Sequence, residues 1–120
     1  MTVLDASAVL AYLQDEPGAT AAVEHLDHGV LGAANLSEVL ARFNGEAEAS
    51  LVDALLAAKG VRIEPVLQVD ARVAARMRHE HPHLSLGDRL CLALAARLDA
   101  DVVTVDRAWG SGGRVVQIRP

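Results

Sequence analysis

The spacing of apolar positions changes repeatedly along the chain, and each change marks an element. Val3-Leu4 is a short apolar run ending in Asp5, which predicts a buried strand over residues 2–5. Ala6 to Gln14 carries apolar residues at helical spacing and predicts a helix over 6–14. Asp15-Glu16-Pro17-Gly18 interrupts it, and Pro17 suits the first turn of a second helix running to about Leu26. Gly29 and Gly32 bracket a short strand at Val30-Leu31. Residues 35–44 read as a helix that Asn35 can cap; a further helix runs from Glu46 to Lys59 and is closed by Gly60.

Val61 to Val66 alternates as a strand, and Val69 to Glu80 is a helix that exposes Arg72, Arg76 and Arg78. His81-Pro82-His83 forms a loop, Leu86 to Leu98 an Ala/Leu-rich helix and Val102 to Val105 a β-branched strand. Gly110-Ser111-Gly112-Gly113 is a loop before a last strand at 115–118. Strands alternating with helices predict an α/β fold, a three-layer α/β/α sandwich around a mostly parallel central sheet. No linker divides the chain, so residues 1–120 read as one domain.

Four acids fall at special points of this pattern. Asp5 and Asp106 (Val102-Val103-Thr104-Val105-Asp106) end strands, while Glu38 (Asn35-Leu36-Ser37-Glu38) and Asp88 (Ser85-Leu86-Gly87-Asp88) lie in the first turns of helices. In an open α/β sheet, ligands bind beyond the carboxyl ends of the strands, where all four would face. Asp99 and Asp101 precede their strand and should face the opposite edge. Taken singly, each acid has a structural explanation: Asn35-x-x-Glu38 and Ser85-x-x-Asp88 fit capping boxes, Asp5 can cap a helix and Asp106 can hold a turn before Trp109. Together they converge from four segments on one end of one sheet, which capping does not require. Carboxylates at close range repel, and a hard divalent cation, magnesium or manganese, is the natural compensation. Such a site points to phosphate chemistry. Ser7 and Thr104, each two residues from a site acid, can orient the carboxylates. Arg89 and Arg107, each next to a site acid, are candidate phosphate contacts.

Composition narrows the class. The formal net charge is −5 and 52% of residues are hydrophobic, with only 2% aromatic, so the core must be built from Ala, Val and Leu. No apolar run approaches the roughly 18 residues of a membrane span, and the N-terminus lacks the pattern of a signal peptide, so the expected compartment is cytoplasmic. Cys91, the sole cysteine, reads as a small buried hydrophobe. Net acidity argues mildly against a nucleic-acid partner, an average that misleads when four of the sixteen acids surround a metal. His79, His81 and His83 lack the spacing of a zinc motif, and the Gly/Ser loop lacks the Lys-Ser/Thr ending of a phosphate loop.

The four motifs, in this order and at these spacings, resemble those of the PIN-domain ribonucleases, and among them the VapC-type toxins of bacterial toxin–antitoxin pairs. The resemblance spans essentially the whole chain. It implies a PIN-like nuclease domain, a magnesium- or manganese-dependent endoribonuclease with Asp5, Glu38, Asp88 and Asp106 as metal ligands, and Ser7 and Thr104 at supporting positions. It also implies an RNA substrate, a cognate antitoxin whose tail occupies the acidic pocket, and a homodimer. For the dimer, Val9, Leu10, Leu13 and Leu40 are candidate contacts of a second copy. Other readings are weaker. A phosphatase wants a nucleophilic Asp-x-Asp pair, which Asp5-Ala6-Ser7 does not supply. A signalling α/β module wants paired acids after its first strand and a lysine near its fifth, whereas the sole lysine is Lys59. A non-catalytic module that keeps an acidic metal pocket is opposed only by the presence of all four acids.

Overall fold

The computed structural model describes residues 1–120. Five strands, β1 (Thr2–Leu4), β2 (Val30–Gly32), β3 (Arg62–Glu64), β4 (Asp101–Thr104) and β5 (Val115–Gln117), form a sheet in the order β3-β2-β1-β4-β5. Every neighbouring pair is parallel, with Leu4 level with Leu31 on one side and Val103 on the other. The sheet is therefore wholly parallel rather than mostly so. The helices are α1 (Ala6–Leu13), α2 (Ala19–Leu26), α3 (Ala33–Leu40), α4 (Gly45–Ala58), α5 (Gln68–Glu80) and α6 (Leu86–Leu98).

Side chains alternate across a strand, so each strand feeds two cores. Leu4 and Leu31 pack with Val9, Leu10, Ala22, Leu26, Val39 and Leu56 on the face covered by the early helices. Val3, Val30 and Val102 point the other way, into a second core with Cys91, Leu94, Ala95 and Trp109. The three layers expected from the sequence are present. Cys91 is buried as expected, with its thiol against the Leu4 carbonyl, and burial pushes its pKa well above the ordinary range.

The chain builds β1, β2 and β3 outward in one direction, then returns to place β4 and β5 on the other side of β1. The reversal lies between β1 and β4, the point at which parallel sheets open a crevice at their carboxyl edge.

Local differences from the sequence reading have identifiable causes. The third helix begins at Ala33 with extended Gly32 as its N-cap, so Asn35 is inside the helix and caps nothing. The second helix starts at Ala19, because Gly18 takes φ +101 where a Cβ would sit 2.7 Å from Val105 Cγ1. Strand β3 is only three residues long and lies at the sheet edge, so its alternation does not bury it: Ile63 is 40% exposed. Val9 and Leu10 belong to the chain's own core and are not available to a second copy; Leu13 and Leu40 are only partly buried.

Asp70 is a buried acid that the sequence did not single out. It accepts from the Leu67 amide (2.9 Å), securing the start of α5, and from Arg97 Nε (2.9 Å) on α6. Arg97 also donates to the Pro65 carbonyl (3.2 Å), joining α5, α6 and the segment after β3. Removing the acid leaves a largely buried guanidinium with the Pro65 carbonyl and a 3.9 Å approach to Glu64. Asp70→Ala should lower stability by about 2–3 kcal/mol, below the roughly 3–5 kcal/mol of a fully buried pair because Arg97 is 22% exposed and keeps those contacts. Urea denaturation should show the midpoint falling with an unchanged slope.

Candidate active site: four anchored carboxylates

Asp5, Glu38, Asp88 and Asp106 line one cavity of about 460 Å³, at the carboxyl edge of the sheet, together with Ser7, Glu16, Arg42 and Arg119. The four predicted acids are thus brought together, although their chain segments are far apart. Asp5 follows β1 directly, Glu38 projects from α3 after β2, Asp88 opens α6, and Asp106 follows β4.

Each carboxylate is held through one oxygen and leaves the other without a hydrogen bond. Asp5 Oδ2 accepts from Ser7 Oγ (2.6 Å) and Thr104 Oγ1 (2.8 Å). Glu38 Oε1 accepts from Asn35 Nδ2 (2.7 Å). Asp88 Oδ2 accepts from the Ser85 amide (3.0 Å), and Asp106 Oδ1 from the Ala108 amide (2.9 Å). None of the four acids forms an ion pair within the chain.

The supporting residues are tied in turn to backbone. Thr104 is fully buried; its Oγ1 accepts from the Asp106 amide (3.0 Å), and Ser7 Oγ accepts from the Val105 amide (3.2 Å). This network fastens α1 to the end of β4 through the Asp5 carboxylate. Ser7 thus serves the acid beside it, as expected, whereas Thr104, two residues from Asp106 in sequence, gives its hydroxyl to Asp5. Asn35 is 1% exposed and also donates to the Gly87 carbonyl (3.2 Å), which holds α3 against the start of α6. Gly87 makes that approach possible, because a Cβ there would lie 2.6 Å from Glu38 Oε2.

Two structural explanations hold alongside the convergence. Ser85 and Asp88 do form a reciprocal capping box, and Asp106 does brace the 3-10 turn at Arg107–Trp109. Two others do not hold. Asp5 occupies a cap position but gives its side chain to Ser7 and Thr104 rather than to the helix amides, and Glu38 makes no box with Asn35.

The candidate phosphate contacts differ from those expected. Arg89 lies one residue beyond Asp88, roughly 100° around the helix, so it faces α5 instead of the cavity and donates to the Ala74 carbonyl (2.8 Å). Arg107 donates to the Pro120 carbonyl (3.2 Å), and neither residue lines the cavity. Arg42 and Arg119 do. Arg42 lies in the turn just beyond α3, so helical spacing from Glu38 does not place it. Arg119 carries no local signal, since its place depends on β5 being the edge strand.

Electrostatically the cavity is costly as it stands. Burial, offset in part by the Ser7 and Thr104 hydrogen bonds and reinforced by the charges of Asp88 and Glu38, pushes the Asp5 carboxyl up to about 6 from 3.8. The donor set consists of carboxylate oxygens, which suits a hard divalent cation. As placed, no three of these side chains converge closely enough to hold an ion. All four acids line the shared cavity, and rotation of the exposed Glu38 and the partly exposed Asp88 and Asp106 is what closure around an ion would require.

Comparison with known proteins agrees with the fold. Residues 2–111 match the PIN domain family model, and the chain belongs to that family. Its structure is similar to that of a toxin–antitoxin complex from Klebsiella pneumoniae, with TM-score 0.83 at 18% identity over 98% of this chain and 97% of that one. It is similar to VapC20 of Mycobacterium tuberculosis, described as a Sarcin-Ricin loop cleaving toxin, with TM-score 0.72 at 20% identity over the full length of both chains. FitAcB from Neisseria gonorrhoeae gives TM-score 0.67 at 19% identity over 90% of this chain and 89% of that one. A sequence search of curated proteins finds no match.

Because Asp5 binds its proton more tightly when folded, the unfolded chain holds fewer protons between about pH 4 and 6, and stability falls as pH rises through that window. The full penalty, on the order of 1–3 kcal/mol, is present above pH 6. Without added metal, Asp5→Asn should therefore be closer to wild type at pH 4 and gain on it by about that amount at pH 7. Thermal melts at the two pH values check this; an equal difference at both would remove the buried charge as the cause.

Proposed function

We propose that residues 1–120 form a single PIN nuclease domain that hydrolyses RNA phosphodiester bonds with magnesium or manganese, as the toxin of a toxin–antitoxin pair. The observation that carries the reading is the set of four carboxylates at the β1/β4 reversal, each anchored by one oxygen with the other unengaged. Capping explains the held oxygens of Asp88 and Asp106 only; it explains neither those of Asp5 and Glu38 nor why all four acids line one cavity. Two of the similar structures are described as a toxin–antitoxin complex and as a Sarcin-Ricin loop cleaving toxin, which supports the substrate and partner classes.

In this reading Asp5, Glu38, Asp88 and Asp106 hold the cation. When bound, it supplies an activated water and offsets charge developing on the phosphate and the leaving oxygen. Asp5 is the fixed point, because the fully buried Thr104 and the partly buried Ser7 lock its orientation. Glu38 is set by Asn35, and the backbone amides at Ser85 and Ala108 set Asp88 and Asp106. The acids repel phosphate until the cation is present, so RNA binding and metal binding are coupled. An antitoxin side chain with a guanidinium could satisfy the same free oxygens by charge-assisted hydrogen bonds and so exclude both. A homodimer in the cytoplasm completes the reading. No helix is long and apolar enough to cross a membrane.

Cleavage of structured RNA should require magnesium or manganese and stop in chelator. Asp106→Asn should reduce it by at least about a hundredfold, and Ser7→Ala or Thr104→Val by about 10–100-fold through misorientation of Asp5. The assay is total RNA incubated with each variant, in metal and in chelator, followed by pull-down with a cognate antitoxin, whose binding Asp106→Asn should largely retain. Cleavage persisting in chelator or in Asp106→Asn would overturn the mechanism.

A further inference from the structure

The chain carries net negative charge and its cavity concentrates four acids, yet two arginines line the same cavity. Arg42 and Arg119 are both exposed, and neither side chain makes a hydrogen bond or an ion pair within the chain. Arg89, Arg107, Arg97 and Arg114 bind carbonyls or acids of the chain, and the unpaired Arg72, Arg76 and Arg78 lie on α5, outside the cavity; Arg42 and Arg119 are the arginines that are both unpaired and on it. A guanidinium left free at the rim of an acidic cavity, with carboxylates in the same cavity, is a group kept available for another anion.

The sheet order sets where each of them lies. Glu38 and Arg42 follow β2, Asp5 follows β1, Asp106 follows β4, and Arg119 follows β5. Read along the sheet edge, the row is cation, acids, cation. Three inter-strand steps of about 4.8 Å, roughly 14 Å, separate the ends of β2 and β5, and Arg42 lies a helix further on from β2, in the turn after α3. A distance of that order is the span of a few nucleotides of extended backbone, and it is wider than any single phosphate.

We propose that Arg42 and Arg119 are phosphate-positioning residues that grip the single-stranded RNA backbone on either side of the phosphate addressed by the acids. The proposal rests on the nuclease reading of the four carboxylates. It deepens that reading by assigning the direction of the strand, which crosses the sheet edge from the β2 side to the β5 side. Arg is suited to this because its fork pairs with phosphate oxygens in two places at once. The pair also accounts for how an acidic protein takes a polyanion: affinity comes from two local cations and the bound metal, not from the overall charge.

The test is fluorescence anisotropy of labelled oligoribonucleotides on the full chain in calcium, across a salt series, with kinetics in magnesium alongside. One probe is a dinucleotide with a single internucleotide phosphate; the other is an oligomer of about six nucleotides. Arg42→Gln and Arg119→Gln should each weaken binding of the oligomer roughly tenfold and lower the salt slope by about 0.7. In cleavage they should raise KM with little change in kcat. Dinucleotide binding should not change, Lys at either position should restore the salt slope but only part of the affinity because it lacks the fork, and Arg78→Gln on the exposed face of α5 should behave as wild type. Unchanged oligomer affinity and slope in both Gln variants would overturn the proposal, as would an equal loss for dinucleotide and oligomer, or a wild-type chain that binds neither probe. Oligomer binding that depends on both arginines, with no cleavage in magnesium, would instead retain the phosphate grip and remove the nuclease reading.

Discussion

Placing a carboxylate at the buried end of the central strand is the constraint around which this molecule is arranged. Asp5 is 3% exposed, and a lone charge so buried would be unfavourable. Two hydroxyls from different elements answer one of its oxygens, and those hydroxyls are themselves held by the amides of Val105 and Asp106. The result is that α1, the end of β4 and the turn after it are fastened together by the same atoms that orient the acid. The compensation is incomplete: the carboxyl still sits at about 6, and its second oxygen has no partner. A fold that spends this much structure on a charge it leaves half satisfied is a fold arranged for something that arrives later.

The remaining acids show the same logic at lower cost. Glu38, Asp88 and Asp106 are less buried and need one donor each, supplied by Asn35 and two backbone amides. This explains why a capping interpretation and a site interpretation are both true of Asp88 and Asp106. Capping fixes one oxygen; the cavity takes the other. Asn35 and Gly87 matter for a different reason, because they let α3 and α6 approach closely enough for Glu38 and Asp88 to share the space.

The fold was legible in the sequence because the first strands are short and each is followed by a helix, which leaves few arrangements other than a parallel sheet. The acids were legible because an ionisable residue directly after an apolar strand, or in the first turn of a helix, has a known position relative to the sheet edge. What failed was anything that depended on angle or neighbours. Asn35-x-x-Glu38 has the spacing of a capping box, and the same spacing places two residues on one face within a helix, so the spacing could not separate the two. Arg89 and Asp88 are adjacent in sequence and point in different directions, since a single step turns the helix by about 100°. The importance of Arg119 follows only from the position of β5 in the sheet. Asp70 was missed because its partner, Arg97, is distant in the chain and becomes a neighbour only when α5 packs on α6.

The central claim is that the four free carboxylate oxygens together receive one kind of ligand, a divalent cation. Diffraction from crystals grown with manganese, using its anomalous signal, tests it most directly. The account predicts a peak in the cavity at about 2.0–2.3 Å from the unengaged Asp5 oxygen, with at least one more of Glu38, Asp88 and Asp106 turned inward to share it. Ser7 and Thr104 should keep their hold on the other Asp5 oxygen. Manganese bound elsewhere on the chain, or a cavity without a peak at millimolar metal, would contradict it.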